Sequence, residues 1–456
     1  MRRVVKVSRI RIIITIIVVV LTTLLTGCTG KEPNEIAYVV ALGIDSTDDD
    51  NYKITIQYAN TTQISGGASE SGGKAGSEIV DNVTIEAPNI YAGVGLANNI
   101  VSKSFSMSHA KLIVFSKEIA EKGVKDMIET LVRSEEIRPD VFIAVANTTA
   151  NDYLTSVNPE MEVNPAQYYQ LIYQKNQLVG IPDGQLREFF TGLYTDNYDS
   201  ILPVAGVIDG SGGNSQNDDK GQSKDGQNEG SEGSSESLDS FESKSSDDKD
   251  ENEKEKDAEK NTSKYEYDIK NYVGGETAIE KKNKAEAIGA AVFEKDKMVG
   301  ELGEVETEIC KILKGDYTYS YLTYYNNDTP DIPITVKTTQ QKKPKYKIDT
   351  DKKTVDIELY IESDLYSLPA DYNVENKIED FERDVANYTS SACTEFINNF
   401  TKKYNSDILK LNEKVKYKFL TNNQYNWFKK NVGWSEYKFS VCTNFKVRRT
   451  GLIVRE

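Results

Sequence analysis

Histidine and cysteine are scarce in this chain, which has one histidine, His109, and four cysteines in 456 residues. A single imidazole cannot supply an HExxH zinc site, and no CxxC or Cys/His spacing indicates another metal site. Nucleophile, phosphate-loop and dinucleotide motifs are also missing: no GxSxG occurs, and neither Gly73-Lys74 nor Gly93-Val94-Gly95 has the surrounding pattern. We therefore expect no enzyme activity, no metal and no cofactor. His109 precedes a strand pattern, which favours a structural histidine over a catalytic one.

The chain also has fewer basic residues than acidic residues. Lysine and arginine total 55 against 72 acidic residues, so the net charge is −17. A surface of this sign argues against nucleic acid as a partner, because phosphate binding needs a basic patch. It also predicts that the body of the protein is repelled by anionic lipid headgroups.

Long apolar runs are limited to the N-terminus. Five basic residues within the first eleven precede an apolar run from Ile12 to Leu25, which is too short for a comfortable bilayer span. The run ends in Leu25-Thr26-Gly27-Cys28, which resembles a bacterial lipobox with Cys28 as the lipidated new N-terminus. We therefore predict a signal peptide at 1–27, a lipid such as palmitate on Cys28, and a mature chain of net charge −22 (−17 less the five basic charges removed). The alternative is an uncleaved signal anchor.

The other three cysteines cannot all pair with one another, which argues against a disulfide scaffold. Cys310 and Cys393 fall in helical patterns beside apolar residues and are interpreted as small core residues. Cys442 lies on the polar phase of a strand pattern. Whether any of the three pair is left open.

Composition divides the mature chain at one place. Residues 210–264 contain sixteen acids and eight lysines, and their apolar residues are Leu238, Phe241 and Ala258. Such a segment cannot bury enough surface to offset its chain entropy, and we expect disorder. The predicted organisation is an N-terminal α/β domain at 28–207, a disordered acidic insertion at 208–264 and a C-terminal α+β domain at 265–456. A smaller Gly/Ser tract at 65–77 is expected to be a flexible loop.

Hydrophobic periodicity predicts the main elements. In the N-terminal part it indicates a hairpin of 36–44 and 52–58, strands at 111–115 and 141–146, and helices at 89–103, 117–133, 149–156, 165–177 and 184–192. In the C-terminal part it indicates strands at 288–294, 298–302, 354–362 and 436–448, and helices at 303–314, 373–404 and 421–431. The predicted fold class is α+β, with several domains and with mixed sheets flanked by helices.

Several short motifs indicate a protein family more specifically than hydrophobic periodicity does. Ser108-His109-Ala110-Lys111 leads into a strand, and Arg138-Pro139-Asp140 precedes the next one. Asn34–Asp45 follows shortly after the lipidation cysteine, Ile288–Gly300 opens the C-terminal part, and Lys446–Gly451 closes the chain. This order of motifs resembles the Ger(x)C lipoproteins, the C subunits of spore germinant receptors. The family often has an aromatic residue directly after the cysteine, and here Thr29 stands there.

The resemblance implies a non-catalytic α/β lipoprotein on the outer face of the spore inner membrane. It would act with the germinant receptor A and B membrane subunits in nutrient-triggered germination. It implies no catalytic residues, names no nutrient, and leaves open whether this subunit contacts one. Two other classes are the alternatives: a solute-binding lipoprotein of an ABC-type importer, which requires two similar α/β lobes, and an envelope hydrolase, which the missing motifs disfavour.

The motifs at 108–111 and 138–140, on either side of the predicted helix at 117–133, lead to one more prediction. Parallel strands joined by a helix start at the same edge of a sheet. We therefore expect His109 or Lys111 to lie near Asp140, with Arg138 beside them, in a polar cluster. Packing of the sheet edge is the favoured role, and docking of the membrane subunits is the alternative.

Overall fold

The computed structural model describes residues 13–17, 35–49, 51–59, 80–157, 162, 164–174, 180–208, 271–277, 284–325, 333–367, 377–404 and 406–450. Cys28, the Gly/Ser tract at 65–77, and nearly all of the predicted signal peptide and acidic insertion lie outside these residues. Within the described ranges, no helix has both the length and the apolar character needed to cross a membrane.

Among the residues that the structure describes, the larger of two sheets has nine strands. They are β1 (Ile36–Ser46), β2 (Tyr52–Ala59), β3 (Val80–Ala87), β4 (Ser104–Ser106), β5 (Leu112–Ser116), β6 (Phe142–Ala146), β7 (Ile201–Val207), β8 (Ala285–Glu294) and β9 (Lys297–Leu302). Their order is β3-β2-β1-β5-β6-β7-β8-β9, and β4 pairs with the start of β1. The central strands β1, β5, β6 and β7 are parallel, and antiparallel hairpins lie at both ends.

Helices cover both faces of this sheet, because its central strands are apolar on both sides. The first face packs against α1 (Ile90–Ala97), α2 (Lys117–Lys122), α3 (Lys125–Val132) and α6 (Leu186–Thr195). The second packs against α4 (Ala150–Ser156) and α5 (Pro165–Gln174). On the second face the Tyr153 hydroxyl bonds to that of Tyr173 at 2.9 Å, and the Tyr169 hydroxyl donates to the Gln57 amide oxygen at 2.5 Å. These bonds satisfy the polar tips of otherwise buried rings.

The smaller sheet consists of β10 (Tyr319–Tyr325), β11 (Pro333–Gln340), β12 (Lys345–Asp349), β13 (Thr354–Ser367) and β14 (Lys438–Arg449). Strand β13 pairs with β11 and β12 along one edge and in parallel with β14 along the other. One face buries Val355, Ile357 and Leu359 against α7 (Glu304–Lys314) and α8 (Ile378–Lys403), while Asp356 and Glu358 on the opposite face are exposed. The helices α9 (Leu411–Val415) and α10 (Asn422–Asn431) connect α8 to β14, together with short 3-10 helices at Lys416–Lys418 and Trp434–Glu436.

Helix α8 also covers the outer edge of β14. Side chains four residues apart on the helix bond to alternate backbone N–H groups of the strand: Asn398 accepts from Phe439 (3.1 Å), Thr394 from Val441 (3.0 Å) and Ser390 from Thr443 (2.9 Å). The Asn398 amide also donates to the Phe439 carbonyl at 3.0 Å, as a neighbouring strand would. An edge strand whose donors are occupied in this way is protected from pairing with another chain.

Most predicted elements are confirmed, including the β1–β2 hairpin, the parallel β5–α–β6 crossover, the long helix α8 and the α+β class. The predicted helix at 117–133 is two helices, because Gly123 has φ +123° and Val124 donates to the Asp296 carbonyl at 3.0 Å. Strand β7 was not predicted. Cys310 and Cys393 are buried and unpaired, and Cys442 is exposed and unpaired.

Candidate functional site at the junction of the two sheets

Several buried and half-buried charged groups meet where the α6–β7 connection reaches the loop after α8. The Asp199 carboxylate accepts from the Lys295 N–H (3.0 Å) and from the Asp407 N–H (2.8 Å). The Asp199 N–H in turn donates to the Asp407 carbonyl at 3.1 Å. One carboxylate thus connects the α6–β7 connection to the β8–β9 turn and to the α8–α9 loop.

Asp407 organises the start of α9. Its buried carboxylate accepts from the N–H groups of Leu411 and Asn412, each at 2.8 Å. The first N–H groups of a helix have no partner within the helix, so this carboxylate satisfies two donors that would otherwise be unpaired. Burial raises the pKa of Asp407 to about 7, although the two backbone bonds act in the opposite direction. Burial likewise raises the pKa of Asp199.

A second set of contacts surrounds these aspartates. The Lys410 ammonium lies 3.2 Å from a Glu188 carboxylate oxygen and 4.1 Å from the centre of the Tyr198 ring. Burial tends to raise the pKa of Glu188, but the charge and hydrogen bond of Lys410, together with the Tyr198 hydrogen bond and the Arg187 charge, outweigh burial, and the pKa is lowered. Lys410 has a positive φ of 57°, so the backbone is held in a left-handed conformation at this contact.

Helix α10 fastens the other side of the junction. The Tyr425 hydroxyl donates to the Asn412 carbonyl and to the Asn197 side-chain oxygen, both at 3.1 Å. The Lys429 ammonium donates to the Thr195 carbonyl (2.9 Å) and to the same Asn197 oxygen (3.1 Å). The residues between α6 and β7 are therefore bonded to three separate segments of the C-terminal part.

Tyr198 and Asp199 line two cavities of about 380 and 570 Å³. Both are within the size range of small-molecule sites. Charged residues of both signs line the first cavity, among them Asp183, Glu188, Lys314, Asp316 and Lys410, and neither cavity is lined by histidine or cysteine. Since Asp199 and Asp407 are occupied by backbone donors, the arrangement is suited to holding segments together rather than to proton transfer or nucleophilic attack.

The structure separates the residues of the predicted polar cluster. Arg138 and Asp140 pair with each other at 3.1 Å with exposed side chains. His109 is exposed, bonds to the Ser108 hydroxyl at 3.1 Å and contacts the Tyr38 ring edge-on. Lys111 contributes backbone bonds to Val40 and Phe142. The strand starts are adjacent as expected, but the predicted cluster is wrong, because the Arg138–Asp140 pair forms within its own turn.

Two further predictions concern lipidation and metal binding. Cys28, the predicted lipidation residue, lies outside the described residues. Across the ranges that the structure describes, no group of three or more His, Cys, Asp or Glu side chains could hold a metal ion. The contact between Asp199 and Asp407 has no signal in the sequence, since the two residues are 208 positions apart and neither lies in a motif.

Family models match both parts of the chain. The model described as "Spore germination protein N-terminal domain" matches residues 30–207. The model described as "Spore germination B3/ GerAC like, C-terminal" matches residues 288–451.

Curated relatives are more distant and match only partly. Spore germination protein KC of Bacillus subtilis (strain 168) is 26% identical over 35% of this chain and 42% of its own length. The putative spore germination protein YfkR of the same organism is 28% identical over 32% of this chain and 37% of its own length. Spore germination protein B3, also from that organism, is 26% identical over 30% and 36%. The chain thus matches about two fifths of the length of these relatives.

Among solved structures, the crystal structure of the GerBC protein aligns with a TM-score of 0.47 at 15% identity, over 89% of this chain and 96% of that one. The two family models lie in order on either side of the acidic segment and together cover most of the chain. The chain therefore belongs to the Ger(x)C family of spore germination proteins.

Proposed function

We propose that this protein is the lipid-anchored C subunit of a spore germinant receptor. In this proposal the mature chain begins at a lipidated Cys28, lies on the outer face of the spore inner membrane, and works with the A and B membrane subunits without catalysing a reaction. The observation that carries the proposal is the presence of both germination-protein models, in order, on one chain.

The position of the first strand supports the anchor. Strand β1 begins at Ile36, eight positions after Cys28. At about 3.5 Å per extended residue, the chain between them reaches at most roughly 28 Å. A lipid on Cys28 would therefore keep the folded body close to the membrane surface, where it could contact membrane subunits.

The chemistry of the junction supports a non-catalytic role. The Asp199 and Asp407 carboxylates are bonded to backbone N–H groups, and the half-buried Lys410 and Glu188 are paired across segments. A subunit that transmits a signal within a receptor needs such fixed contacts and needs no reactive group. The proposal names no nutrient and assigns no nutrient site to this subunit.

The solute-binding alternative is not favoured. It requires two similar α/β lobes with repeated βα units around a hinge. The two sheets here differ in strand number and direction, since the larger has a parallel centre and the smaller is mainly antiparallel with one long covering helix.

The test replaces the proposed anchor. We expect Cys28→Ala to abolish incorporation of labelled palmitate and to move the protein out of the membrane fraction. Spores carrying the variant should lose germination in response to nutrients and keep germination by a receptor-independent trigger. Cys442→Ala is the matched control, because Cys442 is an exposed, unpaired cysteine on β14, and this variant should behave as wild type. If wild type incorporates no lipid and both variants pellet with membranes, the uncleaved signal anchor is correct instead.

A further inference from the structure

A short stretch near the C-terminus has the opposite charge to the rest of the protein. Residues 409–431 contain six lysines and one glutamate, a net charge of +5, in a chain of net charge −17. They form α9, the 3-10 helix at Lys416–Lys418 and α10.

This stretch exposes large apolar side chains. Leu420 is 95% exposed and Tyr417 is 79% exposed, which are the two highest values for large hydrophobic residues in the described part of the chain. Trp427 is 68% exposed. Exposed apolar residues grouped in one segment mark interaction surfaces more often than single ones do.

The exposed residues stand on a fixed support. The Phe419 ring packs 4.9 Å from Phe428, and Phe428 lies 6.1 Å from the buried Trp434. Thr421 caps α10 by accepting from the Gln424 N–H. The rings of Phe419, Phe428 and Trp434 therefore hold the segment in place. The exposed residues between them point to solvent, because these rings already fill the face that packs on the protein.

Charge and apolar surface coincide on α10. Trp427 and Lys430 are three residues apart and share the helix face opposite to Tyr425. Lys430 and Lys416 are both exposed, and neither lies within ion-pair distance of a carboxylate among the described residues; the Lys416 ammonium lies 5.8 Å from the centre of the Tyr425 ring. The other four lysines are engaged: Lys410 pairs with Glu188, and Lys414, Lys418 and Lys429 donate to backbone carbonyls, with Asp349 near Lys418 and Asp196 near Lys429.

We propose that the exposed side chains of this segment, Lys416, Tyr417, Leu420, Trp427 and Lys430, here called the basic aromatic surface, lie in the headgroup region of an anionic bilayer. Tryptophan and tyrosine prefer the membrane–water interface, and a lysine near an anionic leaflet contributes about 1 kcal/mol. The acidic remainder of the chain is repelled by the same lipid, so this surface is the side that turns toward the membrane. The inference rests on the proposed anchor, whose short tether places the body within reach of the lipid.

The chain contains two tryptophans, which makes the proposal directly measurable. Trp434→Phe leaves Trp427 as the sole tryptophan. The purified full-length lipoprotein with this change would be incorporated into vesicles of phosphatidylcholine, with and without phosphatidylglycerol. We expect Trp427 emission to shift to the blue and to be quenched by brominated lipid only in the anionic vesicles, with quenching that weakens as salt is raised.

Charge reversal supplies the matched variants. Lys416→Glu with Lys430→Glu should lower the ratio of quenched to unquenched Trp427 about 30-fold, because two contributions of about 1 kcal/mol are lost and 1.4 kcal/mol is tenfold. Lys53→Glu with Lys284→Glu changes the net charge equally at exposed positions on and beside the larger sheet and should leave quenching unchanged. Thermal melting of both variants checks that they fold.

The outcomes separate this inference from the proposed anchor. Vesicle flotation reports whether the protein is anchored, and Trp427 emission reports whether the surface is docked. Protein that floats with identical Trp427 emission in neutral and anionic vesicles would overturn the inference and leave the anchor intact. If the protein does not float, the proposed anchor is wrong. The same protein would then be added from solution to anionic vesicles, and quenching of Trp427 would test the basic aromatic surface without the anchor. Emission that is already blue-shifted without vesicles would show that another part of the chain covers the surface, which also overturns it.

Discussion

Asp407 shows how a single carboxylate can join distant parts of this chain. It caps α9 with both oxygens, while its own N–H donates to Asp199 on the far side of the junction. A buried carboxylate that kept its charge without such donors would be costly. Because no ion pair neutralises Asp407 among the described residues, its backbone bonds offset only part of the desolvation, and the pKa stays raised to about 7.

The raised pKa predicts a pH-dependent stability at this residue. The folded-state pKa of about 7 lies above the ordinary aspartate pKa of 3.8, so between these values the folded protein binds more protons than the unfolded chain. The free energy of unfolding should therefore fall as pH rises through this window. In Asp407→Asn the side chain cannot ionise. We expect wild type to lose roughly 2 kcal/mol relative to the variant between pH 5 and pH 8, as measured by urea denaturation.

Two comparisons distinguish the effect of Asp407 on the pH dependence from that of other acidic residues. Glu308 also has a pKa raised to about 7 by burial, and it contributes equally to wild type and to the variant. Asp351→Asn changes an exposed aspartate and should give a curve parallel to wild type. Parallel curves for Asp407→Asn and wild type would mean that Asp407 is ionised throughout the range.

At the scale of elements, the pairing of α8 with β14 depends on polar side chains that a helical pattern alone does not explain. Ser390, Thr394 and Asn398 recur every fourth residue and meet every second residue of the strand. Four residues of helix rise about 6 Å and two residues of strand about 6.6 Å, so the two spacings nearly match. The helix therefore follows the strand edge closely enough to repeat one contact several times.

Asn398 is the strongest of these contacts, because it both donates to and accepts from Phe439. Asn398→Ala should lower the free energy of unfolding by about 1–3 kcal/mol, since it leaves a backbone N–H and a carbonyl of β14 without partners. Chemical denaturation measures the loss. Asn399→Ala, at the exposed neighbouring position, should change it by less than about 0.5 kcal/mol. Equal effects of the two variants would argue that solvent satisfies the strand edge.

The elements that could be predicted from the sequence are those with a local signal. The alternation of β13 and the three- and four-residue spacing in α8 are properties of contiguous residues, and both elements are observed. The break at Gly123 depends on the Asp296 carbonyl of a distant turn, and strand β7 depends on partners on both sides of it. For the same reason the junction of Asp199 and Asp407 had no signal in the sequence, and a polar cluster was instead predicted at motifs that form local pairs.

At the scale of the whole molecule, one sheet takes strands from both sides of the acidic segment. Strand β7 precedes the segment, β8 follows it, and the two pair antiparallel from Ile201 with Val292 to Val207 with Ala285. The core of the C-terminal part includes Ile201 and Val292. The domain limits 28–207, 208–264 and 265–456 stay a prediction. They are limits in the sequence, because the larger sheet continues from the first predicted domain into the last.

The ends of the segment are held together. The Ile208 N–H donates to the Lys284 carbonyl at 2.8 Å. On the return path, Gly274 donates to the Ile288 carbonyl at 3.0 Å, and its backbone lies so close to Gly206 that a side chain at Gly206 would collide with it. The chain therefore leaves and re-enters the folded body at neighbouring points, whatever the length of the connection between them.

This geometry predicts that residues 210–263 are dispensable for stability. Their deletion leaves about eight residues between Ile208 and Asn271, which can span up to roughly 28 Å. Because loop-closure entropy depends only weakly on length, the shorter connection should leave the melting temperature within a degree or two of wild type, as measured by scanning calorimetry. Gly206→Ala in the intact chain is the comparison, and it should lower the melting temperature because the return path at Gly274 has no room for a methyl group. A large loss of stability in the deletion variant would show that the acidic segment packs on the folded body, and the prediction of a disordered insertion would then be wrong.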